Sequence, residues 1–402
     1  MSNVDLQNLH SIGVTAPRGF SAAGAACGLK KTGALDLALV VSDSDCASAG
    51  VFTTNRVQAA PVLYDREVLA TNRASIRAVV ANSGCANACT GDAGMSDTRT
   101  MAEATARAIG CRADQVLVLS TGVIGQRLDI AKVRAGIAQA VPCLSPHGDA
   151  DASRAIMTTD TRPKVSAISR PPYAIGGMAK GSGMIHPHMA TMLSVITTDA
   201  DISSELLDQA LRAAVGVSFN RISVDGDMST NDTVLLLANG ASGHEIRTTQ
   251  HVVQFTDALT QVCTDLAKQL ARDGEGATKF VEISITGARD ESDAVRVAKA
   301  IANSPLTKTA LYGGDANWGR VICAAGYSGV AVEPSKMALW FGAVNVFANG
   351  TPTNFDEADS TRAIAGKDVF IRLDLGLGSA SATVWTCDLS HDYVTINGKY
   401  RT

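Results

Sequence analysis

The residues with the clearest chemical potential lie at positions 180–193, which read K-G-S-G-M-I-H-P-H-M-A-T-M-L. Here Lys180 is followed by a glycine-rich loop, and Thr191 stands at the head of an apolar stretch that resembles a strand. A strained loop of this kind can present the carbonyl carbon of Ala190 to the hydroxyl of Thr191. An N-to-O acyl shift would then form an ester, and water would open that ester. The pattern therefore indicates a chain that cuts itself between Ala190 and Thr191.

Such a cut would leave Thr191 with a free α-amino group beside its own hydroxyl. An α-amino group has a pKa of about 7.7 to 8.0, so part of it is neutral near pH 7. The neutral amine can act as a general base and make the hydroxyl a nucleophile, as in enzymes with an N-terminal threonine. On the residues alone, an ordinary strand that starts after a flexible loop is the more common explanation, because threonine often begins strands and glycine-rich loops are widespread.

Two other groups of residues could bind a cation, and each has a structural alternative. His186 and His188 form an H-x-H pair, but no cysteine or carboxylate stands beside them, so a shaped loop is favoured over a metal site. Asp225, Asp227 and Asp232 lie close together without the pattern of a calcium loop. We favour a polar turn whose side chains accept hydrogen bonds from backbone amides. We therefore predict no metal site.

Composition excludes several classes of function. The 402 residues are 46% hydrophobic and 18% charged, which is typical of a globular protein large enough for two lobes. A net charge of -4 without a basic block argues against a nucleic-acid partner. The nine scattered cysteines do not resemble a disulfide framework, and Cys85 and Cys89 are interpreted as packed thiols. With no visible signal peptide and no apolar run of membrane length, we expect a cytoplasmic protein that does not enter a membrane and has small-molecule substrates.

Strand and helix patterns mix in both halves of the chain. Strands are predicted at residues 35–41, 77–81, 116–119, 191–197, 281–285, 371–375, 382–386 and 393–396, and helices at 97–109, 204–215 and 255–270. Residues 82–84 are interpreted as a turn, and residues 142–177 as a loop-rich connection with a short helix near 150–157. Because these elements do not alternate regularly enough for a doubly wound sheet, we expect an α/β fold whose layers contain mixed sheets.

Residues 180–193 resemble the signature of the ornithine acetyltransferase family, K-G-(S or A)-G-M-x-x-P-x-x-A-T-M-L, at all of its specific positions. The resemblance extends over nearly the whole chain. Further matches occur in order at residues 13–17, 19–20, 51–55, 82–87, 120–123, 156–161, 224–227, 231–232, 273–279, 386–390, 396–397 and 402. The sequence departs from the family pattern at His188 and in the tail, where Gly398 and Lys399 could alter how the tail closes over a substrate.

This resemblance implies a self-cleaving, N-terminal-nucleophile-type acyltransferase fold. Residues 1–190 would form an α chain that carries the oxyanion-hole residues, and residues 191–402 would form a β chain that begins with the nucleophile. The implied cleavage bond is Ala190–Thr191, and Thr121 and Gly122 would hold the oxyanion. The implied substrate contacts are Thr158, Lys180, Thr191, Glu275, Asn397 and Thr402. As structural alternatives, Lys180 and Glu275 would be solvated surface charges, and Thr121 would belong to a turn that ends a strand.

The implied reaction moves an acetyl group from N2-acetyl-L-ornithine to L-glutamate through an acetyl ester on Thr191, in a ping-pong mechanism. Its products are ornithine and N-acetylglutamate, which belong to arginine biosynthesis. The reaction needs no metal and no tightly bound cofactor. Some members of the family also accept acetyl-CoA, and no residue of this sequence decides that point. The resemblance further implies a heterotetramer of two α and two β chains.

Two other functions stay open on the sequence alone. The first is an N-terminal-nucleophile amidase or aminopeptidase on the same scaffold, which would pass the acyl group to water. The second is a metabolite-binding protein without catalysis, which would keep an intact chain and form no covalent acetyl adduct.

Overall fold

The computed structural model of the protein describes residues 13–186 and 192–399. Its strands are β1 (Phe20–Ala25), β2 (Leu37–Phe52), β3 (Ile76–Cys85), β4 (Val116–Val123), β5 (Lys164–Arg170), β6 (Tyr173–Lys180), β7 (Leu193–Thr198), β8 (Thr233–Ala238), β9 (Phe280–Ala288), β10 (Ala338–Phe341), β11 (Val344–Ala348), β12 (Thr351–Pro352), β13 (Asp368–Asp374) and β14 (Ala380–Cys387). Its helices are α1 (Ala60–Thr71), α2 (Gly91–Ile109), α3 (Ile130–Ala140), α4 (Asp149–Ala155), α5 (Ser204–Val217), α6 (Thr249–Arg272), α7 (Glu291–Ala302), α8 (Pro305–Gly313), α9 (Trp318–Gly326), α10 (Glu357–Ile364) and α11 (His391–Lys399).

The strands form two sheets. The larger, eight-stranded sheet has the order β4-β3-β2-β8-β7-β6-β5, with β1 paired to β2. The smaller, six-stranded sheet has the order β12-β11-β10-β13-β9-β14. Both sheets are mixed, because β3 and β4, β7 and β8, and β9 and β13 run parallel while the other pairs are antiparallel. The predicted α/β fold with mixed sheets is therefore confirmed.

Both faces of the larger sheet are buried. Leu235 and Leu237 of β8 belong to a core that also contains residues of α1 to α4, whereas Leu236 belongs to a second core with residues of α5 and α6. Successive side chains of a strand point to opposite faces, so one strand supplies both cores. A third core joins α7 to the smaller sheet. In the described part of the chain, no helix is long and apolar enough to cross a membrane.

Residues 142–177 are more regular than the sequence predicted. The short helix α4 lies where a helix was expected, but the rest of the segment contains β5 and most of β6. Pro171 and Pro172 occupy the two-residue turn of this antiparallel hairpin, in which Arg170 pairs with Tyr173. The prolines therefore connect two strands instead of interrupting a loop, because neither has to donate a ladder hydrogen bond there.

Two further predictions were wrong. Residues 82–84 are not a turn but the end of β3, because Asn82, Ser83 and Gly84 pair with residues 120–122 of β4. The strand predicted at residues 393–396 is part of helix α11. The β-branched residues of that segment favour a strand, but Tyr393 is held by a hydrogen bond from its hydroxyl to Asp225, and the hydroxyl of Thr395 bonds the carbonyl of the preceding turn. Tertiary contacts override the local preference.

A buried carboxyl supports strand β4, which carries Thr121 and Gly122 near its end. Asp65 of α1 is fully buried, and its Oδ1 accepts a hydrogen bond of 2.8 Å from the amide of Val118 in β4. Burial raises the pKa of Asp65 well above its ordinary value, although the bond from Val118 acts in the opposite direction. The folded state therefore holds this proton more tightly than the unfolded state does. The protonated Asp65 carboxyl therefore adds to the free energy of unfolding. This contribution is fully present when the pH is below the pKa of Asp65 in the unfolded chain, and it is lost as the pH rises through the pKa of Asp65 in the folded protein.

Replacing Asp65 with asparagine is expected to remove this pH dependence. As the pH rises from about 5 to about 8, the wild type should lose stability that the variant keeps. The free energy of unfolding of the variant minus that of the wild type should therefore increase, by up to about 1.4 kcal/mol per pH unit. Denaturant unfolding of both proteins at a series of pH values measures the difference. A difference that stays the same across the series would show that Asp65 does not titrate in this range.

Candidate active site

One cavity brings together every predicted site residue that the structure describes. It has a volume of ≈ 110 Å³. It is lined by Ala86, Thr121, Gly122, Ile124, Thr158, Thr159, Lys180, Gly183, Met184, Asp225, Asp227, Ser229, Asn231, Glu275, Tyr393 and Asn397. The predicted residues Ala190, Thr191 and Thr402 lie outside the described residues. Six residues that the resemblance selected from distant parts of the chain thus share one concave surface.

The end of β4 places Thr121 and Gly122 on this surface. Gly122 has a φ of +132°, which disfavours any residue with a side chain. A Cβ at this position would also overlap the backbone of Gly84 and lie 2.6 Å from the amide nitrogen of Cys85 in the neighbouring strand. Glycine is therefore required for both conformation and space. The structural alternative, in which Thr121 belongs to a turn, is not supported, because the residue lies within the strand.

Lys180 is the last residue of β6 and is only 2% exposed. Its ammonium donates a hydrogen bond of 3.2 Å to Oγ1 of Thr121. Burial lowers the pKa of Lys180, and the nearby carboxylate of Asp160 acts in the opposite direction. Because Thr121 accepts this bond, its own hydroxyl hydrogen stays available for an acceptor in the cavity. The interpretation of Lys180 as a solvated surface charge is wrong.

Glu275 lines the same cavity as Lys180 and is also buried, at 9% exposure. Its amide donates to the carbonyl of Ser182 at 2.8 Å, and its Oε2 accepts from Nδ2 of Asn397 at 2.8 Å. A side chain at Gly183 would collide with the Glu275 carboxylate, so the glycine makes room for it. The structural alternative of a solvated surface charge is wrong here as well.

The structure adds residues that the sequence analysis did not assign to the site. Asp225 accepts hydrogen bonds from the amides of Met184 and Ile185, at 2.6 and 2.8 Å, and from the hydroxyl of Tyr393 at 3.3 Å. Burial raises the pKa of Asp225, and the amide bonds act against this rise. These bonds match the polar turn that the sequence favoured for the aspartate cluster. The local sequence gives no sign that Asp225 lies beside the glycine-rich loop, because the two segments are about forty residues apart in the chain.

Asn231 joins strand β4 to the start of β8. Its Nδ2 donates to the carbonyl of Ala86 at 2.7 Å and to that of Ser120 at 2.8 Å. The next residue, Asp232, accepts a bond of 3.0 Å from the amide of Met192. Burial raises the pKa of Asp232 well above its ordinary value. The residue that directly follows Thr191 is therefore fixed at the same edge of the sheet as Ser120.

This arrangement can bind and polarise a small acylated amino acid. A buried ammonium can bind a carboxylate, a buried carboxylate can bind an ammonium, and a hydroxyl beside a strand-end amide can stabilise an oxyanion. Within residues 13–186 and 192–399, there is no group of three or more histidine, cysteine, aspartate or glutamate side chains that could hold a metal ion. His186 instead has Nδ2 of Asn303 at 3.3 Å from its Nδ1, and His188 lies outside the described residues.

Comparisons with known proteins agree with the earlier resemblance. The sequence profile of the ArgJ family matches residues 21–402. The arginine biosynthesis bifunctional protein ArgJ of Symbiobacterium thermophilum is 52% identical over 398 residues, covering 97% of this chain and 98% of that protein. The protein of the same name from Thermotoga neapolitana is 48% identical over 396 residues, covering 96% of this chain and 99% of that protein.

Among solved structures, the ornithine acetyltransferase of Mycobacterium tuberculosis complexed with ornithine is 50% identical, covers 44% of this chain and 96% of that chain, and has a TM-score of 0.43. The sequence matches span almost the full length of this chain and of its relatives. They confirm the resemblance drawn from residues 180–193, and the chain belongs to the ArgJ family.

Proposed function

We propose that the chain is a glutamate N-acetyltransferase of arginine biosynthesis that cuts itself before Thr191 and transfers the acetyl group of N2-acetyl-L-ornithine to L-glutamate. Family membership supports the pathway, because relatives matching over nearly their whole length are named arginine biosynthesis bifunctional proteins. The observation that carries the proposal is that Thr121, Gly122, Lys180 and Glu275 line one cavity. Strand β7, which begins two residues after Thr191, pairs with Lys180 at its first residue, Leu193.

In the first half of the reaction, the Thr191 hydroxyl would attack the acetyl carbonyl carbon of N2-acetylornithine. Its proton would pass to the α-amino group of the same residue. The hydroxyl of Thr121 and the amide of Gly122 would donate hydrogen bonds to the tetrahedral oxyanion. As the carbon–nitrogen bond breaks, the α-ammonium would return the proton to the departing amine. Ornithine would leave, and the acetyl group would remain on Thr191 as an ester.

In the second half, the amino group of glutamate would attack the ester carbonyl. The same two donors would hold the second oxyanion. The proton lost by the attacking amine would pass through the α-amino group of Thr191 to the Thr191 oxygen as it leaves. Lys180 would bind the substrate carboxylate, because a buried ammonium gains most from a charged partner. Glu275, to which Asn397 is bonded, would bind the ammonium of glutamate before that group loses a proton and attacks. Thr158 and Thr402 are the remaining proposed contacts.

The two pieces of the cut chain would stay together through the larger sheet. Strand β6 lies before the proposed cut and pairs with β7 after it, and β2 likewise pairs with β8. Both pairings would join residues 1–190 to residues 191–402 by continuous backbone hydrogen bonds. We also propose two copies of each piece per molecule and a cytoplasmic location, on the strength of the resemblance. The relatives' name calls them bifunctional, and on the strength of the resemblance we propose acetyl-CoA as a second acetyl donor. No metal and no bound cofactor are proposed.

Intact mass spectrometry under denaturing conditions tests the proposal. The purified protein should give two masses that correspond to a break between Ala190 and Thr191. After mixing with N2-acetylornithine, the piece that starts at Thr191 should gain one acetyl group, and added glutamate should remove it. A single uncut chain that never gains an acetyl group would contradict the mechanism. Release of free acetate at the same rate with and without glutamate would instead indicate an amidase.

Glu275 offers a test of the acceptor half-reaction. Replacing it with glutamine keeps the shape and the bond from Asn397 but removes the negative charge that would face the ammonium of glutamate. Hydrogen bonds to charged groups contribute about 1.5 to 3 kcal/mol, so we expect KM for glutamate to rise by about 10- to 100-fold. Acetylation of Thr191 by N2-acetylornithine should change less, because its acetylated α-nitrogen carries no charge and its one ammonium is at the far end of the side chain. An equal effect on the acetylation of Thr191 and on the transfer to glutamate would exclude Glu275 as the contact of the glutamate ammonium.

A further inference from the structure

Three charged side chains form a buried cluster outside the cavity lining. Lys164, the first residue of β5, is 0% exposed. Its ammonium donates to Oδ1 of Asp160 and to Oδ2 of Asp273, both at 2.6 Å. The two carboxylates are also buried, at 8% and 6% exposure. Removing charged groups from water is costly, and only short, well-directed hydrogen bonds between them can offset that cost. The three side chains are therefore held in one geometry.

Asp160 holds two segments that carry proposed substrate contacts. Its Oδ2 accepts from the amide of Thr158 at 2.9 Å, and its Oδ1 accepts from the amide of Gly181 at 2.7 Å. Thr158 lines the cavity, and Gly181 directly follows Lys180. One carboxylate therefore fixes the position of both segments relative to each other.

Asp273, on the other side of the Lys164 ammonium, holds a further segment in the same way. It accepts from the amide of Thr161 at 3.0 Å and from the Thr161 hydroxyl. It stands two residues before Glu275, whose amide is bonded to Ser182. Lys164 is thus the shared donor between the segment that carries Glu275 and the segments that carry Thr158 and Lys180.

Lys164 is the buried cation that contacts both Asp160 and Asp273. The half-exposed Arg162 adds a longer ion pair to Asp273, at 3.9 Å, and the Lys180 ammonium acts on Asp160. Burial acts to raise the pKa of Asp160, but the nearby ammonium groups of Lys180 and Lys164 outweigh it and lower the pKa to about 2. Without Lys164, the ionised Asp160 would have Lys180 as its main cationic neighbour. That attraction would draw the Lys180 ammonium away from Thr121, its partner at 3.2 Å.

We propose that Lys164, Asp160 and Asp273 form a positioning triad that holds Lys180 and Glu275 at the separation needed to bind both charged ends of the amino-acid substrate. This inference rests on the proposed function. If the chain is cut before Thr191, Lys164 and Asp160 belong to one piece and Asp273 to the other. The triad is then a buried ion pair between the two pieces, set behind the substrate site. None of its members lines the cavity, so they act through the residues that do.

Steady-state kinetics of Lys164→Met, Lys164→Arg and Asp273→Asn test this inference. A displacement of about 1 Å can cost about 100-fold in rate, so kcat/KM for N2-acetylornithine should fall by about 100-fold in Lys164→Met. Most of the fall should appear in KM for N2-acetylornithine and for glutamate, because binding contacts are misplaced. Lys164→Arg keeps the charge and should recover part of the loss. Asp273→Asn keeps the shape of the side chain and should raise KM by a smaller factor. It tests the inference independently if Lys164→Met does not fold.

Lys308→Met is the matched control. Lys308 is also buried and donates to Oγ1 of Thr386 at 2.9 Å and to the carbonyl of Cys387, but none of these residues lines the cavity. Its loss should lower the amount of folded enzyme without raising KM. An unchanged KM in the triad variants, or an equal rise in Lys308→Met, would overturn the triad. Absence of transfer by the wild type would contradict the proposed function instead, so the two failures are separable.

Discussion

Replacing Thr191 with alanine is expected to leave the chain uncut and to abolish acetyl transfer. Alanine has no oxygen to attack the preceding carbonyl, so the acyl shift cannot begin and no α-amino group is freed at residue 191. The same missing oxygen leaves the acetyl group without a carrier. Loss of a catalytic nucleophile lowers the rate by about 10⁴-fold or more in enzymes that form an acyl intermediate. We therefore expect transfer from N2-acetylornithine to glutamate to be undetectable.

Thr191→Ser is the control for this experiment, because serine keeps the hydroxyl and loses only a methyl group. It should be cut at the same bond, with a different rate, and should still gain one acetyl group. Intact mass spectrometry records the cut and the acetyl group in the same sample, and a coupled assay of N-acetylglutamate records transfer. An alanine variant that is still cut before residue 191, or still transfers the acetyl group, would exclude Thr191 as the nucleophile.

The sequence located the site residues better than it located their surroundings. Thr121, Lys180 and Glu275 could be selected because short motifs carry them, and the structure places all three on one cavity. Their burial was not predictable, since a lysine or glutamate in a loop-rich segment is usually exposed. Lys164 had no local signal, and the match at residues 273–279 did not indicate a role for Asp273, because the bond between the two joins residues 109 positions apart.

The secondary structure shows the same division between local and distant information. Helices α5 and α6 were predicted because their apolar residues recur with helical spacing, and the N-cap serine of α5 was visible in the sequence. Strand β6 was missed because Gly176 and Gly177 remove the apolar alternation that marks a strand. A Cβ on Gly176 would collide with the carbonyl of Gly13, so glycine is needed where another part of the chain passes closely. Only the folded arrangement reveals that approach.

The second large effect is expected from Thr121→Val. Valine has nearly the shape of threonine, so the strand and the neighbouring Gly122 should keep their positions. The hydroxyl hydrogen that would face the oxyanion is lost, while the amide of Gly122 remains as the other donor. Removal of one such donor costs about 2.7 to 4 kcal/mol of transition-state stabilisation, which corresponds to a fall in kcat of about 10²- to 10³-fold.

The same substitution also removes the acceptor of the bond from Lys180, so the two roles of Thr121 must be separated. Loss of the oxyanion donor acts on the transition state and lowers kcat, whereas displacement of the Lys180 ammonium weakens substrate binding and raises KM. Thr121→Ser retains both hydrogen bonds and should keep kcat within about tenfold of the wild type, since a donor remains. A Thr121→Val enzyme with an unchanged kcat and a raised KM would show that Thr121 serves Lys180 alone, and the oxyanion would then depend on Gly122 and a donor still to be found.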